Sequence, residues 1–196
     1  MIFGDKIVLE NHLVRLQPLA EEDREKLWPL AQESDIWAFT PSKADTRESW
    51  DAYFDQALSL REQHQRYPFL IVEKASGQVA GSTSYGNFSI PDRRVEIGWT
   101  WLGNPFRGSH LNKACKFLLL SFAFEKMDMQ RVELKTDVRN LRSRAAMKSM
   151  GAKEEGILRS HTAMHDGHRR DTIYYSILEH EWLDIRASLL KTIYPQ

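Results

Sequence analysis

Arg94-Val-Glu-Ile-Gly-Trp-Thr-Trp-Leu-Gly-Asn-Pro-Phe-Arg-Gly-Ser-His-Leu-Asn112 begins as a strand and ends as a helix. Val95, Ile97 and Trp99 alternate with Glu96 and Gly98 at the two-residue period of a strand, so Glu96 and Gly98 are expected on one face and the apolar residues on the other. Pro105 and Gly108 then interrupt the pattern. From Leu111 onward, Leu111, Ala114, Cys115, Leu118, Leu119 and Phe122 recur at helical spacing, while Phe117, Leu120 and Phe124 extend the apolar surface around the cylinder. A deeply packed helix follows, with Cys115 in the core. A strand that ends where a helix opens makes an anion site, because the first helical turn leaves backbone N–H groups unpaired at the positive end of the helix dipole.

Downstream, Val132, Leu134, Thr136 and Val138 alternate with Arg131, Glu133, Lys135 and Asp137, which reads as a strand with one polar face. Strand, helix and strand form a crossover, so the two strands are expected to run parallel. Asn140 to Met150 is a short helix stopped by Gly151, and Lys153 to His165 pairs with His168 to Leu178 around the Asp166-Gly167 turn. A last helix covers Glu179 to Ile193. Upstream, Lys6 to Leu19 reads as a strand or short hairpin turning at Glu10-Asn-His12, and Glu21 to Gln32 as a helix that Pro29 kinks or shortens. Asp45-Thr-Arg-Glu48 is a capping signal for a helix carrying Trp50, Phe54, Ala57 and Leu58 to about Gln65. Tyr67 to Lys74, Gln78 to Phe88 and Arg93 to Trp101 form an antiparallel meander. The expected order is β-α-α-β-β-β-α-β-α-β-β-α, an α/β fold with a mixed sheet. One domain over residues 1–196 is expected.

Composition narrows the function classes. Of the 196 residues 42% are apolar and 11% aromatic, enough to close a substantial core. Lys+Arg and Asp+Glu both number 27, so no basic excess is available to grip a nucleic-acid backbone. Cys115 is the single cysteine, which excludes an intrachain disulfide and a cysteine-rich metal cluster and fits a reducing compartment, with the cytoplasm as the expected location. No apolar run reaches the roughly 20 residues that span a bilayer, and Met1 to Lys6 carries no signal-peptide core. No membrane partner is expected.

With Glu96 just upstream of the loop and Asn140-Leu-Arg-Ser143 beyond the second strand, the stretch resembles the acyl-CoA site of the GNAT superfamily of N-acetyltransferases, in its RimJ/RimL-like branch. The resemblance spans roughly Lys6 to Leu178. It implies a mixed, mostly antiparallel sheet with a parallel pair that splays apart, the pantetheine arm of coenzyme A lying between the splayed strands against backbone groups of Trp101 and Leu102. The family's loop, Gln/Arg-x-x-Gly-x-Gly/Ala, falls on Arg107, Gly108, Ser109, His110, Leu111 and Asn112. The N–H groups of Ser109 to Asn112 would hold the pyrophosphate, with Arg107 adding charge. His110 stands where the family carries glycine, and Asn112 where it carries a small residue.

For chemistry, the resemblance implies acetyl-CoA as cosubstrate, no metal, and direct transfer to a primary amine, with Glu96 as general base, directly or through water. Many relatives protonate the leaving thiolate with a tyrosine, but here Met147 occupies that position. Ser143 becomes the candidate donor, and Asn140 fixes the loop and touches the pantetheine. Other readings stay open from the residues themselves. Glu96 fits an ordinary ion-paired carboxylate, and Asn140 with Ser143 fits a helix cap. His161, His165 and His168 invite a metal reading, since the hairpin register sets His165 opposite His168, yet no carboxylate cluster supports it. Trp28, Trp37, Phe39, Trp50, Phe54 and Tyr85 either line an acceptor groove or belong to the core. The rival class is a non-catalytic acyl-CoA-binding module or sensor. Acceptor identity and the choice between monomer and homodimer are not legible.

Overall fold

The computed structural model describes residues 2–4 and 6–194. Eight strands form one sheet: β1 (Leu9–Glu10), β2 (Val14–Pro18), β3 (Arg66–Glu73), β4 (Val79–Ser89), β5 (Arg94–Leu102), β6 (Arg131–Asp137), β7 (Lys153–Ala163) and β8 (Arg169–Leu178). Their order is β1-β2-β3-β4-β5-β6-β8-β7, and every neighbouring pair is antiparallel except β5 with β6. Mixed topology and the parallel crossover are thus as read from the sequence. The first segment is the short hairpin alternative, closed by Asn11, whose Oδ1 accepts from the N–H groups of Leu13 and Val14.

Five helices cover the sheet: α1 (Arg24–Ala31), α2 (Arg47–Glu62), α3 (Leu111–Glu125), α4 (Leu141–Ser149) and α5 (Trp182–Ile193). A 3-10 turn precedes both α1 and α5, so each starts three residues later than its pattern indicates. Pro29 sits inside α1, which ends two residues on. Helix α2 stops at Glu62 instead of Gln65 because His64 turns left-handed, at φ 59°. Its cap is Thr46, paired with Ser49 in a reciprocal box, one residue later than the Asp45-to-Glu48 pattern indicates.

Two apolar clusters sandwich the sheet. One joins Val95, Ile97, Val132, Leu134, Tyr175 and Ile177 to the inner side of α3 and to Trp182. The other joins Leu70 and Trp101 to Trp37, Trp50, Tyr53 and Phe54 of the α1–α2 layer. Each fully buried Leu, Ile or Phe contributes about 1.5–3 kcal/mol, so both clusters hold strand register firmly. Tyr85 belongs to the α3 side, where its hydroxyl donates to the Leu119 carbonyl, and it leaves the list of groove residues.

The hairpin turn is longer than Asp166-Gly167 implies. The strands close at Ala163 and Arg169, and Met164 N–H bonds the His168 carbonyl, so His168 faces Met164 and not His165. His165 Nε2 instead lies 3.4 Å from the Trp37 carbonyl. Among the described residues no group of three or more His, Cys, Asp or Glu is gathered as a metal would need. No helix among them is long and apolar enough to cross a membrane.

Candidate active site

The parallel pair is brief. Only Arg94–Arg131, Val95–Val132 and Glu96–Glu133 are in register, after which β5 runs on to Leu102 and β6 to Asp137 without pairing to each other. A wedge-shaped gap therefore opens in the middle of the sheet beside Glu96. Backbone groups along such an inner edge need partners, and an extended chain with amides supplies them.

Strand β5 is also bulged. Gly98 pairs with Ser84 and Trp101 with Ser82, so Trp99 and Thr100 together oppose Thr83, and Trp99 takes φ 50°. The extra residue breaks the expected alternation. Trp99 turns to the face of Glu96 and Gly98, where its ring stacks 4.9 Å from the Arg66 guanidinium and would meet a Cβ on Gly86 at 2.4 Å. Thr100 turns to the α3 face. Strict two-residue period placed Trp99 with Val95 and Ile97, and the bulge overturns that.

Glu96 is 3% exposed. Its Oε2 accepts from Asn87 Nδ2 at 2.7 Å and pairs with Lys135 Nζ at 2.8 Å across the mouth of the gap. Oε1 makes no hydrogen bond among the described residues and stands over Gly98, where a Cβ would come within 2.8 Å of it. The space that Gly98 leaves is thus filled by the carboxylate itself, and not by open volume for a substrate. A carboxylate fixed through one oxygen and free at the other is oriented to accept a proton.

At the wide end of the gap the loop turns through Gly108 at φ 72°, with open space where its Cβ would stand. Leu111 N–H bonds Ser109 Oγ, which itself donates to the Phe106 carbonyl. No hydrogen bond within the described chain takes the N–H groups of Ser109, His110 or Asn112. His110 is the N-cap of α3, exposed, with its ring free of any bonded partner among the described residues and its backbone helical at φ −70°. A side chain there leaves the N–H row intact.

Arg107 is spoken for. Its Nε donates to the Leu102 carbonyl at 2.7 Å, and its terminal nitrogens bond Asn104 Oδ1, Glu33 and Asp35. Two carboxylates match its charge, so it ties the loop to the α1–α2 layer, and the Leu102 carbonyl is already occupied. Trp101 is buried, and its Nε1 lacks a partner among the described residues. Beyond β6, Asn140 Oδ1 caps α4 by accepting from Ser143 N–H at 3.0 Å. Its side-chain amide nitrogen and the Ser143 hydroxyl have no bonded partner among the described residues. Met147 is buried in the core.

Strand–loop–helix head, splayed pair and internal carboxylate together define an acyltransferase of the GNAT kind. Residues 14–153 match the family model "Acetyltransferase (GNAT) domain", and the chain belongs to that family of N-acetyltransferase enzymes, which use acetyl-CoA. It is 30% identical over 184 residues to the Bacillus subtilis (strain 168) protein named "Putative ribosomal N-acetyltransferase YdaF", covering 88% of this chain and 94% of that one. A GCN5-related N-acetyltransferase from Brucella melitensis superposes with a TM-score of 0.89 at 24% identity, covering 97% of this chain and 87% of its own. Mycobacterium smegmatis RimJ, solved with CoA-disulfide, superposes at 0.78 with 22% identity, over 96% and 93% of the two chains. At 24% and 22% identity these two structures show the shared fold.

Proposed function

We propose that this chain, read as one domain over residues 1–196, transfers acetyl from acetyl-CoA directly to a primary amine in the cytoplasm. The observation that carries the reading is the gap opening immediately beyond Glu96 and Glu133, with Glu96 Oε1 free at its narrow end. Pyrophosphate would sit on the untaken N–H groups of Ser109, His110 and Asn112, and pantetheine would run down β5 past Leu102 and Trp101. Glu96 Oε1 would take the proton from the attacking amine, with Lys135 and Asn87 holding the carboxylate in place. Ser143 and the Asn140 amide would reach the arm from the α4 side. The name of YdaF favours a ribosomal protein amino terminus as acceptor over a small-molecule amine.

Titration calorimetry with acetyl-CoA, followed by thiol release across a panel of peptide amino termini, amino acids, polyamines and aminoglycosides, tests the reading. Binding with amine-dependent thiol release is the expected result. No heat and no thermal stabilisation at millimolar acetyl-CoA would overturn it, since a ligand bound to the native state must raise the melting temperature.

A further inference from the structure

Helix α3 sends one more charged side chain toward β5 than the reaction above uses. Lys116 is 5% exposed, and its Nζ makes one hydrogen bond, donating to Thr100 Oγ1 at 2.6 Å. Thr100 Oγ1 in turn lies 2.7 Å from Thr83 Oγ1. Among the described residues no carboxylate forms an ion pair with Lys116. A buried ammonium with a single neutral partner is costly to keep, because its other protons and its charge go unanswered.

Its position gives the charge a use. Thr100 belongs to the β5 bulge, on the stretch that has lost β6 as a neighbour. Lys116 approaches from the α3 side and Glu96 from the opposite face, and the two attract each other through the sheet. One helical turn earlier, at i−4, Asn112 carries a buried Oδ1 with no donor among the described residues. From the phosphate loop toward Glu96, α3 thus presents an unused acceptor and then an underused cation. On this side burial pushes both Cys115 and Tyr85 up, so that they stay neutral at pH 7. Burial also lowers Lys116 to about 8, against the pull of Cys115 and Glu96, which places it near the roughly 8.5 of a free thiol.

We infer that Lys116 is the acid of the transfer, donating across the β5–β6 gap to the coenzyme A sulfur as it departs; the inference rests on the acetyl-CoA reading. The amine nitrogen bonds the carbonyl carbon, the carbon–sulfur bond breaks, and its electron pair leaves on sulfur. Glu96 takes the proton lost by nitrogen, and Lys116 gives one to the thiolate. Water then returns the proton from Glu96 to Lys116, leaving amide and free thiol. Ser143 can offer the sulfur a hydrogen bond, but a hydroxyl is a far weaker acid than a thiol and cannot leave its proton there.

Ultraviolet titration of the thiol in the coenzyme A complex tests this without turnover. In the wild type the bound thiol should ionise at least one pH unit below its free value, and in Lys116→Met at or above it. Lys116→Arg should keep the shift yet lose about 10²-fold in turnover, because guanidinium holds its proton. Identical thiol titration in wild type and Lys116→Met, or full turnover in Lys116→Arg, would overturn the inference alone. A wild type that binds no coenzyme A would overturn it together with the reading beneath it.

Discussion

Position 96 shows how one residue acquires a role from its neighbours. A glutamate in a strand is ordinarily solvated, yet this one is buried, held through Oε2 by Lys135 and Asn87 and left open at Oε1. Glu96→Gln keeps the shape and removes the proposed base. Turnover is therefore expected to fall about 10²–10⁴-fold while coenzyme A affinity changes little, because the phosphate loop is untouched. Steady-state rates paired with calorimetry check this, and an unchanged rate across the pH range would mean that another group, or a substrate arriving neutral, removes the need for the base. The pairing could not be read from the chain, since Lys135 and Asn87 meet Glu96 only when three strands come side by side.

Among the elements, α4 carries a double duty that substitution can separate. Asn140 caps it through Ser143 N–H, a bond to the Ser143 backbone that is indifferent to the Ser143 side chain. Asn140→Ala should cost about 1 kcal/mol of stability through the lost cap, whereas Ser143→Ala should leave the melting temperature nearly unchanged and lower the transfer rate if its hydroxyl serves the sulfur. Thermal denaturation of both variants beside their rates decides the matter; a destabilised Ser143→Ala with a normal rate would reduce the serine to a structural part. Helix–strand alternation and the meander were legible from periodicity, because each follows from which side chains an element can bury, whereas the α2 cap fell on Thr46 and not on Asp45. The β5 bulge was not. It is one extra residue set against β4, and only the partner strand reveals that Trp99 and Thr100 share the space opposite Thr83.

For the whole molecule, the buried Lys116 sets a pH dependence of stability. Its folded pKa of about 8 lies below the ordinary 10.5, so between those values the unfolded chain binds more protons than the native one, and stability rises with pH through that window. At pH 7 the full penalty applies, roughly 3 kcal/mol. Cys115, raised by burial from 9.0 to about 12, works in the opposite sense above pH 9, where the unfolded thiol ionises and the native one does not. Lys116→Met should accordingly be more stable than the wild type near pH 7, with the difference narrowing as the pH passes 8 toward 10. Denaturant unfolding of both proteins across that range measures it, and a difference constant with pH would show that Lys116 is not held at a depressed pKa.

The amino-acid sequence alone settled the order of elements, the parallel crossover, the strand–loop–helix head and the family motif, because each depends on residues close in the chain or on apolar period. Tertiary structure decided what those residues are free to do. Arg107 reads as a phosphate ligand until Glu33 and Asp35 arrive from the far side of the fold to neutralise it. Lys116, on an apolar helix, is closed over by β5, which removes the water that would otherwise solvate its charge. Charge pairing and desolvation are properties of space, and residues 70 or more positions apart can set them.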